Sequence, residues 1–127
     1  MFKKNQKDKL LDINQSEIST IIGEGYLFTG ELKGASVIRI EGKVAGNVIV
    51  ESGIVLGEKG IIEGDLVTNS AIIYGTVIGN VKAAQLEIKK TGCITGEIYT
   101  DSLQIDLGAR YNGKLNMQQP VLLEKAS

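Results

Sequence analysis

A glycine-anchored unit of seven residues recurs along this chain at a spacing too short to enclose a core of its own. Gly42-Lys43-Val44-Ala45-Gly46-Asn47-Val48 returns as Gly60-Ile61-Ile62-Glu63-Gly64-Asp65-Leu66, as Gly75-Thr76-Val77-Ile78-Gly79-Asn80-Val81 and as Gly92-Cys93-Ile94-Thr95-Gly96-Glu97-Ile98. Looser copies end in Gly30-Glu31-Leu32 and Gly113-Lys114-Leu115. The anchors Gly30, Gly46, Gly64, Gly79, Gly96 and Gly113 are separated by steps of 16, 18, 15, 17 and 17 residues. A unit of that length can bury its apolar side chains only against copies of itself, so the chain is expected to stack into a solenoid.

Alignment on the anchors sorts the apolar residues into columns. Two residues before each anchor stand Phe28, Val44, Ile62, Val77, Ile94 and Tyr111, and two residues after stand Leu32, Val48, Leu66, Val81, Ile98 and Leu115. A third run contributes the pairs Ile38/Ile40, Ile54/Leu56, Ile72/Tyr74, Leu86/Ile88 and Leu103/Ile105. Each run alternates apolar with polar and is bounded by glycine, which is the pattern of a short strand. Three short strands per turn predict an all-β, single-domain parallel β-helix of about six coils, a rod of roughly 30 Å at roughly 4.8 Å per coil. The strict hexapeptide spacing of left-handed β-helices is absent, so the rod is expected to be right-handed. The β-helix is assigned to residues 20–117, between an N-terminal tail, 1–19, and a C-terminal tail, 118–127.

Composition narrows the function more than the fold. A formal net charge of -1 provides no field to draw nucleic acid. Histidine is absent, which removes the commonest general base and metal ligand. The single cysteine, Cys93, has neither a histidine to activate it nor a second cysteine to share a disulfide or zinc, and an intracellular setting is expected. Gly23-Glu24-Gly25 lacks the third glycine of a dinucleotide fingerprint, and no phosphate-binding loop is present. No nucleotide, cofactor or metal is therefore expected, nor a membrane span or signal peptide.

Residues just after the anchors, Glu31, Asn47, Asp65, Asn80, Glu97 and Lys114, stack along one edge. Carboxylates two coils apart would lie near 10 Å, about the upper limit for an inverting glycosidase pair. A carbohydrate-active β-helix using Glu31, Asp65 or Glu97 is thus one reading. The plainer one is that alternating acid with amide keeps like charges apart on adjacent strands. Outward Val55 and Ile73, between Arg39 and Glu87, are expected to form a small apolar spot on the surface.

The tails and the ends remain. Met1-Phe2-Lys3-Lys4-Asn5-Gln6-Lys7 places two large apolar residues ahead of lysines. It is either a solvated terminus or a membrane-surface anchor, with Met1 and Phe2 in the interface and Lys3, Lys4, Lys7 and Lys9 on anionic lipid. Leu10, Leu11, Ile13 and Ile18 form a second apolar group able to fold back on the first coil. The C-terminal segment, Val121 to Ser127, is too short for a membrane helix. At the rod's ends the first column closes on rings, Phe28 and Tyr111, and the second on Leu115. These side chains either plug the core or meet the next molecule end to end, which makes Phe28, Tyr111 and Leu115 the candidate polymer interface.

In Ser19-Thr20-Ile21-Ile22-Gly23-Glu24-Gly25, Phe28-Thr29-Gly30-Glu31-Leu32, the run Ile38 to Val48, Thr91 to Ile98 and Gly113 to Met117, the sequence resembles the bactofilin family of polymer-forming bacterial cytoskeletal proteins. The resemblance spans residues 19–117. It implies a right-handed β-helix that joins end to end into non-polar filaments without nucleotide, on the inner face of the cell membrane, as a scaffold for cell-envelope or morphogenesis partners. It also implies that Met1-Phe2-Lys3-Lys4 is a membrane-binding peptide. The family's terminal-coil phenylalanine corresponds to Tyr111 here, and a proline before the Thr-Gly corner is replaced by Lys90.

Overall fold

A computed structural model describes residues 18–117. Fourteen strands, with no helix among the described residues, wind into a right-handed parallel β-helix of six coils. In chain order, β1 (Ile18–Ile22) leads into β2 (Leu27–Thr29), β3 (Leu32–Gly34) and β4 (Val37–Ile40). The next coils are β5 (Lys43–Ala45) with β6 (Val48–Leu56), β7 (Ile61–Glu63) with β8 (Leu66–Ile73), and β9 (Thr76–Ile78) with β10 (Val81–Ile88). The rod finishes with β11 (Cys93–Thr95), β12 (Ile98–Ile105), β13 (Arg110–Asn112) and β14 (Leu115–Met117). Its first strand thus begins at Ile18, two residues before the start expected from the repeat.

The first and second columns stack as the repeat demands. Phe28, Val44, Ile62, Val77, Ile94 and Tyr111 are register partners through the β2–β5–β7–β9–β11–β13 sheet. Leu32, Val48, Leu66, Val81, Ile98 and Leu115 do the same on the second face. Each side chain in these columns closes over the one above and below, and the interior members are fully buried. At about 25 cal/mol per Å² of apolar surface this stacking is the main source of the rod's stability.

The second and third runs are joined without a break in the hydrogen-bonded strands β6, β8, β10 and β12, giving two sheets around three faces. The corner between those runs shows in the side chains, because the inward alternation resets there. In β8 the inward residues are Leu66 and Thr68, then Ala71 and Ile73, with Asn69-Ser70 between them. Small residues line the inside of this bend in one column, Gly34, Val50, Thr68, Ala83 and Thr100. The buried Thr100 hydroxyl donates to the Ser102 carbonyl at 3.0 Å, satisfying the turning backbone from within.

Two expectations are corrected on the third face. Ile54 and Leu56 pair with Ala71 and Ile73, not with Ile72 and Tyr74. β6 spends three residues on its corner, Glu51-Ser52-Gly53, where β8 spends two, and the hydrogen-bond register absorbs the difference as an irregularity between Val50 and Gly53. The outward neighbours are therefore Val55 and Ile72, with Ile73 in the core, and Val55 and Ile72 are buried rather than exposed.

Candidate polymer interface

The anchor glycines fix how closely coils approach. Gly64 has φ of 152° and a Cβ there would collide with the carbonyl oxygen of Gly46 one coil above; Gly46, Gly79, Gly96 and Gly113 repeat the arrangement. Gly30, the first of the column, has nothing within 4 Å of that position. The stack is thus closed at every interior coil and open at its upper end.

Beside it runs a ladder that uses the post-glycine residues. Asn47 Oδ1 accepts from the Asp65 amide at 3.0 Å, Asp65 Oδ1 from the Asn80 amide at 3.1 Å, and Asn80 Oδ1 from the Glu97 amide at 3.0 Å. Each short side chain satisfies the backbone N–H of the coil below, which is the usual service of Asn and Asp at a turn. Glu97 accepts from the Tyr99 hydroxyl at 3.0 Å and lies 3.9 Å from Lys114. Glu31 lies 4.0 Å from Lys33 on the first coil. The three candidate carboxylates therefore face structural partners along the edge, and no group of three or more metal-ligating side chains forms among the described residues. Cys93 lies outward between Thr76 and Arg110, as the columns require.

Both ends of the rod present their columns to solvent. At the upper end β1, β2 and β3 each have one strand neighbour among the described residues. Ile21 is 62% exposed, Tyr26 72% and Leu27 62%, while Ile22, Phe28 and Leu32 are half-buried. Ile21, Ile22, Gly23, Tyr26, Leu27 and Phe28 line a concavity of about 240 Å³. At the lower end Leu107 is 94% exposed and Ile105, Leu115 and Met117 are exposed beside half-buried Tyr111. Tyr111 does not leave its hydroxyl idle: it donates to the Gly96 carbonyl at 3.1 Å. Burial, with Glu97 nearby, raises the phenol above its ordinary value of 10.0.

Phe28, Tyr111 and Leu115 therefore sit at the two ends, Phe28 and Tyr111 half-buried against the core and Leu115 exposed below Ile98. Sequence reasoning missed Tyr26, Leu27 and Leu107. All three fall in corners or outward columns, where apolar residues carry no periodic signal. The clue available was Tyr26 itself, which takes the place that Gly42 and Gly60 occupy in later coils.

The model of the family described as "Bactofilin: Polymer-forming cytoskeletal" matches residues 20–116. The chain belongs to the bactofilin family. It is a structural protein of the polymer-forming cytoskeletal class and not an enzyme, which removes the carbohydrate-active reading. Among curated bactofilins, BacO of Myxococcus xanthus is 30% identical over 100 residues, covering 78% of this chain and 79% of the relative. BacP of the same organism is 26% identical over 110 residues, and this chain, matched over 86% of its own length, spans only 46% of that relative. The bactofilin of Thermus thermophilus, reconstructed as double helical filaments, superimposes with a TM-score of 0.76 at 28% identity, covering 78% of this chain and 99% of that one.

Proposed function

We propose that this bactofilin polymerises end to end through its open coils, without nucleotide, into non-polar filaments. The observation that carries this is the pair of ends, neither of which is capped by any of the described residues. A soluble solenoid ordinarily covers its last coils with polar residues. Here the first and second columns run out to the surface as Phe28 and Leu32 above and Tyr111 and Leu115 below, ringed by Tyr26, Leu27 and Leu107. Stacking one end on another would continue both the apolar columns and the strand ladders. The double helical filaments of the Thermus thermophilus relative support such growth.

The filaments would lie on the cytoplasmic face of the cell membrane, held there by Met1, Phe2, Lys3, Lys4 and Lys7, and would position cell-envelope or morphogenesis proteins. Those five residues lie outside the described residues; their composition supports the role. The test of polymerisation is negative-stain electron microscopy at physiological salt with no nucleotide, on the native chain and on Tyr111→Arg. Filaments are expected from the first. Dispersed particles with an unchanged β-rich circular dichroism spectrum are expected from the second, because a guanidinium at a closed end contact has no partner. Filaments unchanged by Tyr111→Arg would remove that end from the contact, and discrete particles from the native chain at high concentration would end the proposal.

A further inference from the structure

The second face leaves apolar and charged side chains open at its middle. Lys33, Ile49, Val67, Lys82, Tyr99 and Asn116 follow one another down its outward column as register partners. Val67 is 38% exposed, Lys82 is exposed, and Ile49 and Tyr99 are half-buried. On the other faces, outward charges at the middle coils find partners within the rod: Lys43 pairs with Glu63 on the first, and Arg39 with Glu41 and Glu87 with Lys89 on the third. Lys82 makes no ion pair among the described residues. Beside it Asp65, Leu66, Val67, Asn80, Lys82 and Tyr99 line an open concavity of about 470 Å³.

We infer that this face is a seam along which two rods pack side by side and antiparallel, about a two-fold axis passing between β8 and β10; the inference rests on the filaments proposed above. Such an axis reverses the order of the coils and keeps each outward column opposite itself. Val67 then faces Lys82 of the other rod, whose ammonium enters the concavity beside Asp65. Asp65 gives Oδ1 to the Asn80 amide, which leaves Oδ2 for that cation. Tyr99 covers the other rod's Ile49, and along the post-glycine edge Glu31 meets Lys114, Asn47 meets Glu97 and Asp65 meets Asn80. The like-charge approach that remains, Glu51 to Asp101, falls where both strands bend away into the corner. A parallel pair is far worse matched, because it sets Lys33 on Lys33, Lys82 on Lys82 and Glu97 on Asp101, and like charges closed into one contact oppose it. The face measures about 29 Å along the rod and about 16 Å across, about 500 Å² on each rod. A pair thus buries about 1,000 Å², below the roughly 1,200–2,000 Å² of a stable complex. Two lone rods would part again, whereas two filaments that set these faces together at successive rods add the contacts and hold. Side-by-side pairing therefore follows end-to-end growth.

Cross-linking in a Cys93→Ser background tests the seam. Chains carrying Ile49→Cys and chains carrying Tyr99→Cys are assembled together and treated with a short bismaleimide. Covalent dimers are expected from the mixture and not from either variant alone. An end joint cannot supply them, since there the two positions stand three coil spacings, about 14 Å, apart. Lys82→Glu added to both chains is expected to remove the dimers and to leave single filaments by negative-stain electron microscopy, and Lys82→Arg to keep both the dimers and the paired filaments. Dimers from Tyr99→Cys alone would make the seam parallel and overturn the proposal, as would a mixture that yields none or dimers that survive Lys82→Glu. Native filaments that form and never pair would end the seam and leave end-to-end growth standing, while a chain that forms no filaments would remove both.

Discussion

Gly64 and Asp65 are adjacent and hold the same corner in different ways, so substitutions at the two should fail differently. Gly64→Ala adds a Cβ where the Gly46 carbonyl already sits and forces a side chain into a backbone conformation at φ 152°. Gly30→Ala meets only the second problem, at φ 120° with open space above. Backbone strain of that kind costs about 1–3 kcal/mol, while strain plus displacement of a neighbouring coil should exceed about 4 kcal/mol. Urea midpoints of the two variants check the difference. Asp65→Asn keeps the oxygen that accepts from the Asn80 amide, and Asp65→Ala removes it. The first is expected to melt with the native chain and the second to lose about 1 kcal/mol. The sequence showed that this column alternates acid with amide, but charge spacing alone did not reveal that the side chains serve the backbone of the coil below. That service depends on which N–H groups the corner leaves unpaired, and only coil-to-coil geometry shows it.

At the scale of the strand, columns tied to a glycine corner were legible and those following a variable corner were not. Phe28 to Tyr111 and Leu32 to Leu115 lie two residues from an anchor, so no length variation intervenes. The third run follows a bend of two residues in β8 and three in β6, and Ile72/Tyr74 matched an apolar alternation as well as Ala71/Ile73 did. Hydrogen-bond register decided between them. The ends were legible for the same reason as the first two columns, and Tyr111 now carries a pH prediction. Its phenol is raised mainly by burial, so the folded rod prefers the neutral form. That contribution is intact below pH 10.0, the ordinary tyrosine value, and is lost as the pH climbs through the raised one. Tyr99, raised by its hydrogen bond to Glu97, and Lys89, raised by its hydrogen bond to Glu87, shift in the same direction. The measurement is therefore a difference: on passing from about pH 9 to about pH 11, Tyr111→Phe should lose less of its melting temperature than the native chain. Equal losses would place the alkaline sensitivity elsewhere.

For the molecule as a whole, polymerisation as proposed would make weak membrane contacts of the kind proposed for residues 1–7 additive. Residues 1–7 hold three lysines, Lys3, Lys4 and Lys7, each contributing about 1 kcal/mol near an anionic surface. On the proposed role, Met1 and Phe2 would add a few kcal/mol of apolar insertion. A single copy would bind marginally, while a filament presenting many copies would not leave until most had let go. Assembly and membrane binding are thus expected to be separable in one direction only. Deleting residues 1–9 should release the protein from anionic liposomes in a sedimentation assay and leave filaments intact by electron microscopy. Tyr111→Arg, with residues 1–9 present, should weaken liposome binding as well, and raising the salt should weaken it further by screening the lysines. Liposome binding by Tyr111→Arg equal to that of the native filament would show that each copy binds on its own strength, and the avidity model would be wrong.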